Sequence, residues 1–234
     1  MLVSQEIKKI LSGKNIIENN IGESGDKVYK IEGFNDDKNR YLKIENKERL
    51  FGIKREYEVY EFLKGKIKVP EVYYYEYPYL ITTEIKGICS FHIEENERIK
   101  VMRVLAKALK ELHSIDIKGF RLLSDLTYEI KNGKNTEDSL LNMVCDEYVF
   151  VHGDACLPNM IIHEGEFSGF IDMGAAGIGN RYEDLAYCVW STLYNFKDEK
   201  YVHEFFKEYG EEYYDRDRLN LYIRILNPST SISL

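Results

Sequence analysis

Positive charge is the scarcer sign in this chain: 32 lysines and arginines stand against 40 aspartates and glutamates, a formal net charge of −8. An acidic surface repels phosphate backbones, which argues against nucleic acid as a partner, and the same field would favour a cationic substrate. Cysteine is sparse. Cys89, Cys145, Cys156 and Cys188 match no zinc-ligand spacing and form no CxxC pair, so buried, reduced thiols of a cytosolic protein are expected. Long apolar runs are missing as well. No stretch is long enough to span a bilayer, and Met1 to Gly13 lacks an uninterrupted apolar h-region, so neither a membrane span nor a signal peptide is expected, and the expected location is the cytoplasm. Internal repeats and a Walker A sequence are also absent. What remains is 44% hydrophobic and 31% charged over 234 residues. That composition is globular, with length for one large domain or two modest lobes around a real core.

The pattern changes character along the chain. Val28–Ile31 and Tyr41–Ile44 are short β-prone runs separated by the polar turn Asn35-Asp36-Asp37. A helix is expected over Leu50–Lys64, where Ile53, Tyr57, Tyr60 and Leu63 recur at spacings of three and four. Pro70 closes that connection, and strands are expected at Val72–Tyr75 and Tyr79–Thr83. Beyond Gly87 helical periodicity dominates. Val101, Val104, Leu105, Ala108 and Leu112 make one apolar stripe, and Tyr182–Tyr194, Lys200–Tyr209 and Arg216–Leu226 read as helices. Between them Tyr148–Asp172 reads as strand, loop and hairpin, turning at Glu164-Gly165. The fold class expected is α+β. A strand-rich N-terminal lobe, residues 1–84, joins a helical C-terminal lobe, residues 85–234, with a ligand pocket between them.

His152-Gly153-Asp154-Ala155-Cys156-Leu157-Pro158-Asn159 has the spacing of a kinase catalytic loop. Asp154 can orient an acceptor hydroxyl and take its proton, and Asn159 can turn its amide oxygen to magnesium. Alone, such an octet could be a strand-ending turn, since Asp and Asn are ordinary turn residues. Ile171-Asp172-Met173-Gly174 follows one hairpin later. A hairpin returns the chain to its start, so Asp172 should cluster with Asn159 and Asp154, as a hard cation requires. Lys43 lies on an expected strand and could snorkel to solvent. Glu56, however, lies on the apolar stripe of the following helix, and a carboxylate there needs a partner. Lys43 is the natural one, with Lys54 or Arg55 as surface alternatives. A Lys43–Glu56 pair would present the ammonium to the phosphates of ATP. Gly22-Glu23-Ser24-Gly25-Asp26 is a weaker signal: a glycine-bearing loop between strands, able to bring backbone amides close to phosphate.

In this order the loop, the strand lysine, the helix glutamate, H-G-D-x-x-x-x-N and I-D-x-G resemble the aminoglycoside phosphotransferases, the 3′ branch in particular. Val151–Asn159, Ser168–Asp172, Lys27–Lys30, Leu112–Asp116 and Arg181–Ala186 all match, over roughly residues 20–210. The resemblance implies a bilobal, protein-kinase-like fold, ATP and magnesium as cofactors, and a role in antibiotic resistance. It implies that Ser24 touches the phosphates, Tyr41 packs on adenine, and the hinge backbone at Thr83 and Ile85 bonds the base. It further implies Lys43 paired with Glu56, Asp154 as catalytic base, Asn159 and Asp172 on the metal, His152 bracing the loop, and Asp184 ordering the turn at Gly179-Asn180. The chain departs from the branch around the acceptor. Ala175 stands where the branch carries an arginine. Trp190, Tyr194 and Asn195 stand where it carries basic and acidic residues. The segment between Ser114 and Tyr148 is shorter, and Asn227-Pro228-Ser229-Thr230 replaces an acidic, aromatic tail.

The reading is therefore ATP-dependent phosphorylation of a hydroxyl on a small, possibly cationic molecule, with aminoglycoside 3′-phosphorylation leading. Kinases of an amino alcohol or sugar, a non-catalytic nucleotide-binding module, and a metal-dependent hydrolase built on His152, Asp154, His163 and Asp172 are the alternatives.

Overall fold

The computed structural model describes residues 5–19, 26–36, 38–47, 50–132 and 148–234. Five antiparallel strands form the N-terminal sheet: β1 (Asn15–Asn19), β2 (Lys27–Glu32), β3 (Arg40–Ile44), β4 (Val72–Glu76) and β5 (Tyr79–Thr83), in the order β1-β2-β3-β5-β4. The alternation of β3 splits its side chains between two faces. Leu42 joins Ile31, Tyr79 and Ile81 in a small core closed by Ile7 of α1 (Gln5–Leu11). Tyr41 and Lys43 take the other face. There they stand across from Lys30 and Val28 on β2 and from Thr82 and Leu80 on β5. That face is the roof of the candidate site.

Helix α2 (Ile53–Leu63) crosses beneath it. Its buried Ile53, Val59, Tyr60 and Leu63 belong to the large core of the C-terminal part. A strand pair β7 (Tyr148–Val151) with β10 (Gly177–Asn180) and a three-stranded sheet of β6 (Ile88–Cys89), β8 (Met160–His163) and β9 (Glu166–Phe170) lie in that part. Helices α3 (Arg98–His113), α4 (Asp125–Lys131), α5 (Tyr182–Phe196), α6 (Lys200–Tyr209) and α7 (Arg216–Leu226) surround them. The strongest helix pairing is α3 with α6. Val101, Leu105, Ala108 and Leu112 face Tyr201, Val202, Phe205, Phe206 and Tyr209, all buried. Each such side chain contributes about 1.5–3 kcal/mol on burial.

The expected strands and helices are present to within a few residues at their ends. Helix α1, strand β1, the two-residue β6, α4 and β10 carry too little periodicity to be read from the sequence. Residues 227–234, read as a small polar tail, pack back on the helices. Leu234 N–H donates to Asn220 Oδ1 at 2.8 Å, and the Trp190 indole donates to Thr230 Oγ1 at 3.0 Å. Among the described residues no helix is long and apolar enough to cross a membrane.

Candidate active site

The catalytic-loop octet leaves β7 and reaches a 3-10 turn at Leu157–Asn159, and β8 follows at once. Asn159 Nδ2 donates to the carbonyl of Asp154 at 3.0 Å and to its Oδ2 at 2.9 Å, so the amide fixes the carboxylate. The hairpin β8–β9 then brings the chain back. Ile171 N–H donates to the Asn159 carbonyl at 3.0 Å, placing Asp172 beside the loop. His152 is fully buried and joins the two segments. Its Nε2 lies 3.0 Å from the Ile171 carbonyl, and its Nδ1 accepts from Asp154 N–H at 3.3 Å. Gly153 has φ +79°, and a Cβ there would lie 2.4 Å from the Ala175 carbonyl. Only glycine allows the catalytic loop to approach the segment after Asp172 this closely.

Asp172 adopts the left-handed conformation, φ 58° and ψ 56°. Aspartate tolerates this better than most residues, at a cost of about 1–2 kcal/mol. Lys43 spans the cleft from β3. Its Nζ lies 2.7 Å from Glu56 Oε2 and 2.8 Å from Asp172 Oδ1. Burial works against that ammonium, but the carboxylates of Glu56 and then Asp172 outweigh it and hold its pKa above the ordinary lysine value. The surface alternative for Glu56 does not form. Arg55 points away from it and donates to the carbonyls of Leu123 and Ala176.

Tyr41 lies two residues from Lys43 on the same face of β3. Thr83 has its N–H on the Glu71 carbonyl at 2.9 Å and its hydroxyl accepting from Glu71 N–H at 2.9 Å. Those two groups of Thr83 are therefore engaged within the protein. Ser24 falls outside the described residues.

One expectation is corrected. Asp184 does not order the Gly179-Asn180 turn. Its carboxylate accepts from His152 N–H at 2.7 Å and Gly153 N–H at 2.8 Å, and lies 3.0 Å from His113 Nε2. It braces the catalytic loop from the first turn of α5, where the helix dipole favours a negative charge. His113 Nδ1 in turn lies 2.6 Å from the Tyr209 hydroxyl. The neighbour Glu183 orders the turn instead. It accepts from Asn180 N–H at 3.1 Å and Thr127 Oγ1 at 2.6 Å. Adjacent acidic residues give no sequence signal of which one faces which loop.

Burial pushes the Glu183 carboxyl up to about 7, against the hydrogen bonds from Ser124 and Thr127. Its Oε2 is buried without a partner. The sign follows from the raised folded value. Its stabilising contribution is full below the ordinary 4.5 and is lost as pH rises through about 7. Glu183→Gln mimics the neutral acid. The variant is expected to gain about 2–3 kcal/mol on wild type between pH 5 and pH 8. Denaturant melts at both pH values check this, and a constant gap would show that Glu183 is not buried as a neutral acid.

Burial, then the field of Asp154, raises the Tyr187 phenol, and Asp125 at the start of α4 contributes to the same field, an interaction the sequence reading missed. The only local signal for it was Ser124-Asp125 before a short helix, where Ser124 caps Thr127 N–H. Of Glu211, Glu212, Asp215 and Asp217, the carboxylates that follow α6, Asp215 is taken up as the cap of α7, accepting from Arg218 N–H. Tyr187, Trp190 and Tyr194 recur along one side of α5, the last two rings stacked 5.3 Å apart. Asn195 turns back onto Ser191.

The hydrolase arrangement is not assembled. The His152 ring is occupied as described, and His163 lies at the far end of β8, roughly 13 Å of extended chain beyond Asn159. Among the described residues no group of three or more His, Cys, Asp or Glu could hold a metal. One carboxylate and one amide remain, Asp172 and Asn159. That is the sparse oxygen set magnesium uses when nucleotide phosphates supply further ligands.

The model of the family described as "Phosphotransferase enzyme family" matches residues 137–222. An aminoglycoside 3′-phosphotransferase of Enterococcus faecalis is 30% identical, with 90% of this chain and 92% of that protein aligned. One from Niallia circulans is 28% identical, with 94% and 95% aligned. Among solved structures, a type VIII aminoglycoside 3′-phosphotransferase superposes with a TM-score of 0.73 at 21% identity, over 94% of this chain and 95% of that one. A Streptomyces rimosus aminoglycoside phosphotransferase, in complex with ADP and streptomycin, superposes with a TM-score of 0.70 at 21% identity, over 89% and 94%. The kinase-like α+β fold expected from the sequence is the fold observed.

Proposed function

The chain belongs to the aminoglycoside 3′-phosphotransferase family, and we propose that it uses magnesium-ATP to phosphorylate a hydroxyl of a cationic aminoglycoside, an activity that confers antibiotic resistance. One observation carries the reading: Lys43 bridges Glu56 and Asp172 at 2.7 and 2.8 Å, while Asp154 is held by Asn159 one hairpin away.

In this reading residues 1–84 hold the nucleotide and residues 85–234 supply catalysis and the acceptor pocket. Tyr41 covers the adenine. The Thr83 carbonyl and the Ile85 N–H meet its edge, because the other polar groups of Thr83 are bonded to Glu71. Ser24 and Lys43 contact the phosphates. Asp172 and Asn159 would hold magnesium, which when bound neutralises charge on the phosphate oxygens. Asp154 orients the acceptor hydroxyl and takes its proton as that oxygen bonds the γ-phosphorus of ATP and the bond from the γ-phosphorus to the β,γ-bridging oxygen breaks, releasing ADP. Asp184 and His152 keep the loop in place, so the geometry is present before substrate arrives.

The acceptor pocket favours a narrow substrate range. Asp154 offers negative charge, but α5 presents Trp190, Tyr194 and Asn195 where the 3′ branch carries charged side chains, and the tail lacks the acidic end of that branch. Exposed charge pairs contribute at most about 1 kcal/mol each, so three missing pairs raise KM by roughly 100-fold. An ATP-consumption assay over kanamycin-like and neomycin-like compounds, amino alcohols and sugars tests this. Weak turnover of a few aminoglycosides is expected. Activity on a small alcohol with none on any aminoglycoside would replace the reading by that of a small-alcohol kinase.

A further inference from the structure

Helix α2 carries Glu56, and its position decides where Lys43 stands. Two other side chains of α2 set that position. Tyr60, one turn after Glu56, is 3% exposed, and its hydroxyl donates to Glu56 Oε1 at 2.9 Å. The helix also packs on the Met173–Ala175 turn that follows Asp172. Arg55, next to Glu56 and 7% exposed, donates to the Ala176 carbonyl at 2.6 Å and to the Leu123 carbonyl, and its guanidinium covers the Phe51 ring at 4.7 Å. The helix is therefore fastened to the Met173–Ala176 turn by Arg55 and by packing. That turn also meets the catalytic loop, at Gly153 against Ala175.

We propose that Tyr60 and Arg55 are positioning residues, Tyr60 fixing the Glu56 carboxylate and Arg55 latching α2 to residues 172–176, so that Glu56, Lys43 and Asp172 stand in register before the nucleotide binds. The inference rests on the phosphotransferase reading of the site. Its chemistry is a competition for one ammonium. Lys43 Nζ lies between Glu56 Oε2 at 2.7 Å and Asp172 Oδ1 at 2.8 Å. Tyr60 holds the other oxygen of Glu56 and keeps that carboxylate aimed at Lys43. Without the hydroxyl Glu56 is free to turn, Lys43 leans on Asp172, and the lysine competes with magnesium for the carboxylate. A fault in the latch therefore raises the magnesium requirement. A fault in packing alone does not.

The test uses Tyr60→Phe, which keeps the buried ring and removes only the hydroxyl. Expected are a melting temperature within a few degrees of wild type, a kcat about tenfold lower, and a magnesium half-saturation raised several-fold, as for loss of one hydrogen bond to a charged group. Calorimetric binding of ADP with and without magnesium gives the same answer independently of turnover: the gain in affinity from magnesium shrinks in the variant. In a Glu56→Ala background Tyr60→Phe is expected to change nothing further, because its effect passes through Glu56. Arg55→Lys, which keeps the charge but loses the two-carbonyl fork, is expected to raise the magnesium requirement in the same direction, and it carries the test if Tyr60→Phe does not fold. Wild-type kcat and magnesium dependence in the folded variants, or full additivity with Glu56→Ala, would overturn the latch. Lys43→Ala separates the levels. If it loses turnover while Tyr60→Phe does not, the latch alone fails. If Lys43→Ala is fully active, the phosphotransferase reading of the site fails with it.

Discussion

Asp154→Ala is expected to lower kcat by about three orders of magnitude or more and to leave nucleotide affinity within roughly twofold of wild type. The asymmetry follows from where the side chain stands. Asp154 is oriented by Asn159 Nδ2 at 2.9 Å, on the catalytic loop, whereas Lys43 and Tyr41 lie across the cleft on β3. In the proposed mechanism its carboxylate meets the acceptor hydroxyl rather than the nucleotide, so its loss removes an interaction of the transition state. Single-turnover phosphorylation together with calorimetric ATP binding separates the two quantities. Asp154→Asn is the useful companion. It keeps the shape and the contact with Asn159 but cannot take the proton, so it should be nearly as inactive. Near-wild-type turnover in either variant would remove Asp154 from the role of base.

Asp172→Ala should damage both binding and turnover. The carboxylate receives Lys43 Nζ at 2.8 Å and stands beside Asn159 through the Ile171–Asn159 backbone bond. Removing it takes away the one carboxylate proposed for the metal and leaves Lys43 with Glu56 alone. Expected are a kcat loss of about 10³-fold and a magnesium half-saturation raised tenfold or more. Alanine at position 172 also strains the left-handed backbone there. Asp172→Asn, which tolerates that conformation, controls for backbone strain and should show the same magnesium defect. An unchanged magnesium titration in both variants would mean that the hairpin does not deliver a metal ligand.

Much of the site was legible because its parts are close in sequence or tied to a short-period pattern. The octet from His152 to Asn159 and the Asp-Met-Gly triplet one hairpin later each fit in a few residues, and the hairpin length itself implies that they meet. Lys43 and Glu56 were paired by an energetic argument, that a carboxylate on an apolar helix stripe needs a cation, and they lie 2.7 Å apart. The roles of Asp184, Tyr60 and Arg55 were not legible. Asp184 bonds backbone amides 31 and 32 residues away, and Arg55 bonds a carbonyl 121 residues away. A backbone donor or acceptor carries no identity in sequence, so nothing marks which side chain will claim it.

The sequence by itself determined the class of chemistry, the order of most of the strands and helices, and the candidate residues for phosphate, metal and proton. It did so because these depend on residue type, on spacing and on periodicity along the chain. Only the tertiary structure decided that Asp184 braces the catalytic loop while Glu183 takes the neighbouring turn, and that Arg55 leaves Glu56 to Lys43. It also decided that the Tyr60 hydroxyl bonds Glu56 and that Arg55 reaches the Ala176 carbonyl. These choices rest on distances between segments far apart in the chain. They are set by which faces the packed helices and sheets bury together, and by the need of every buried polar group to find a partner.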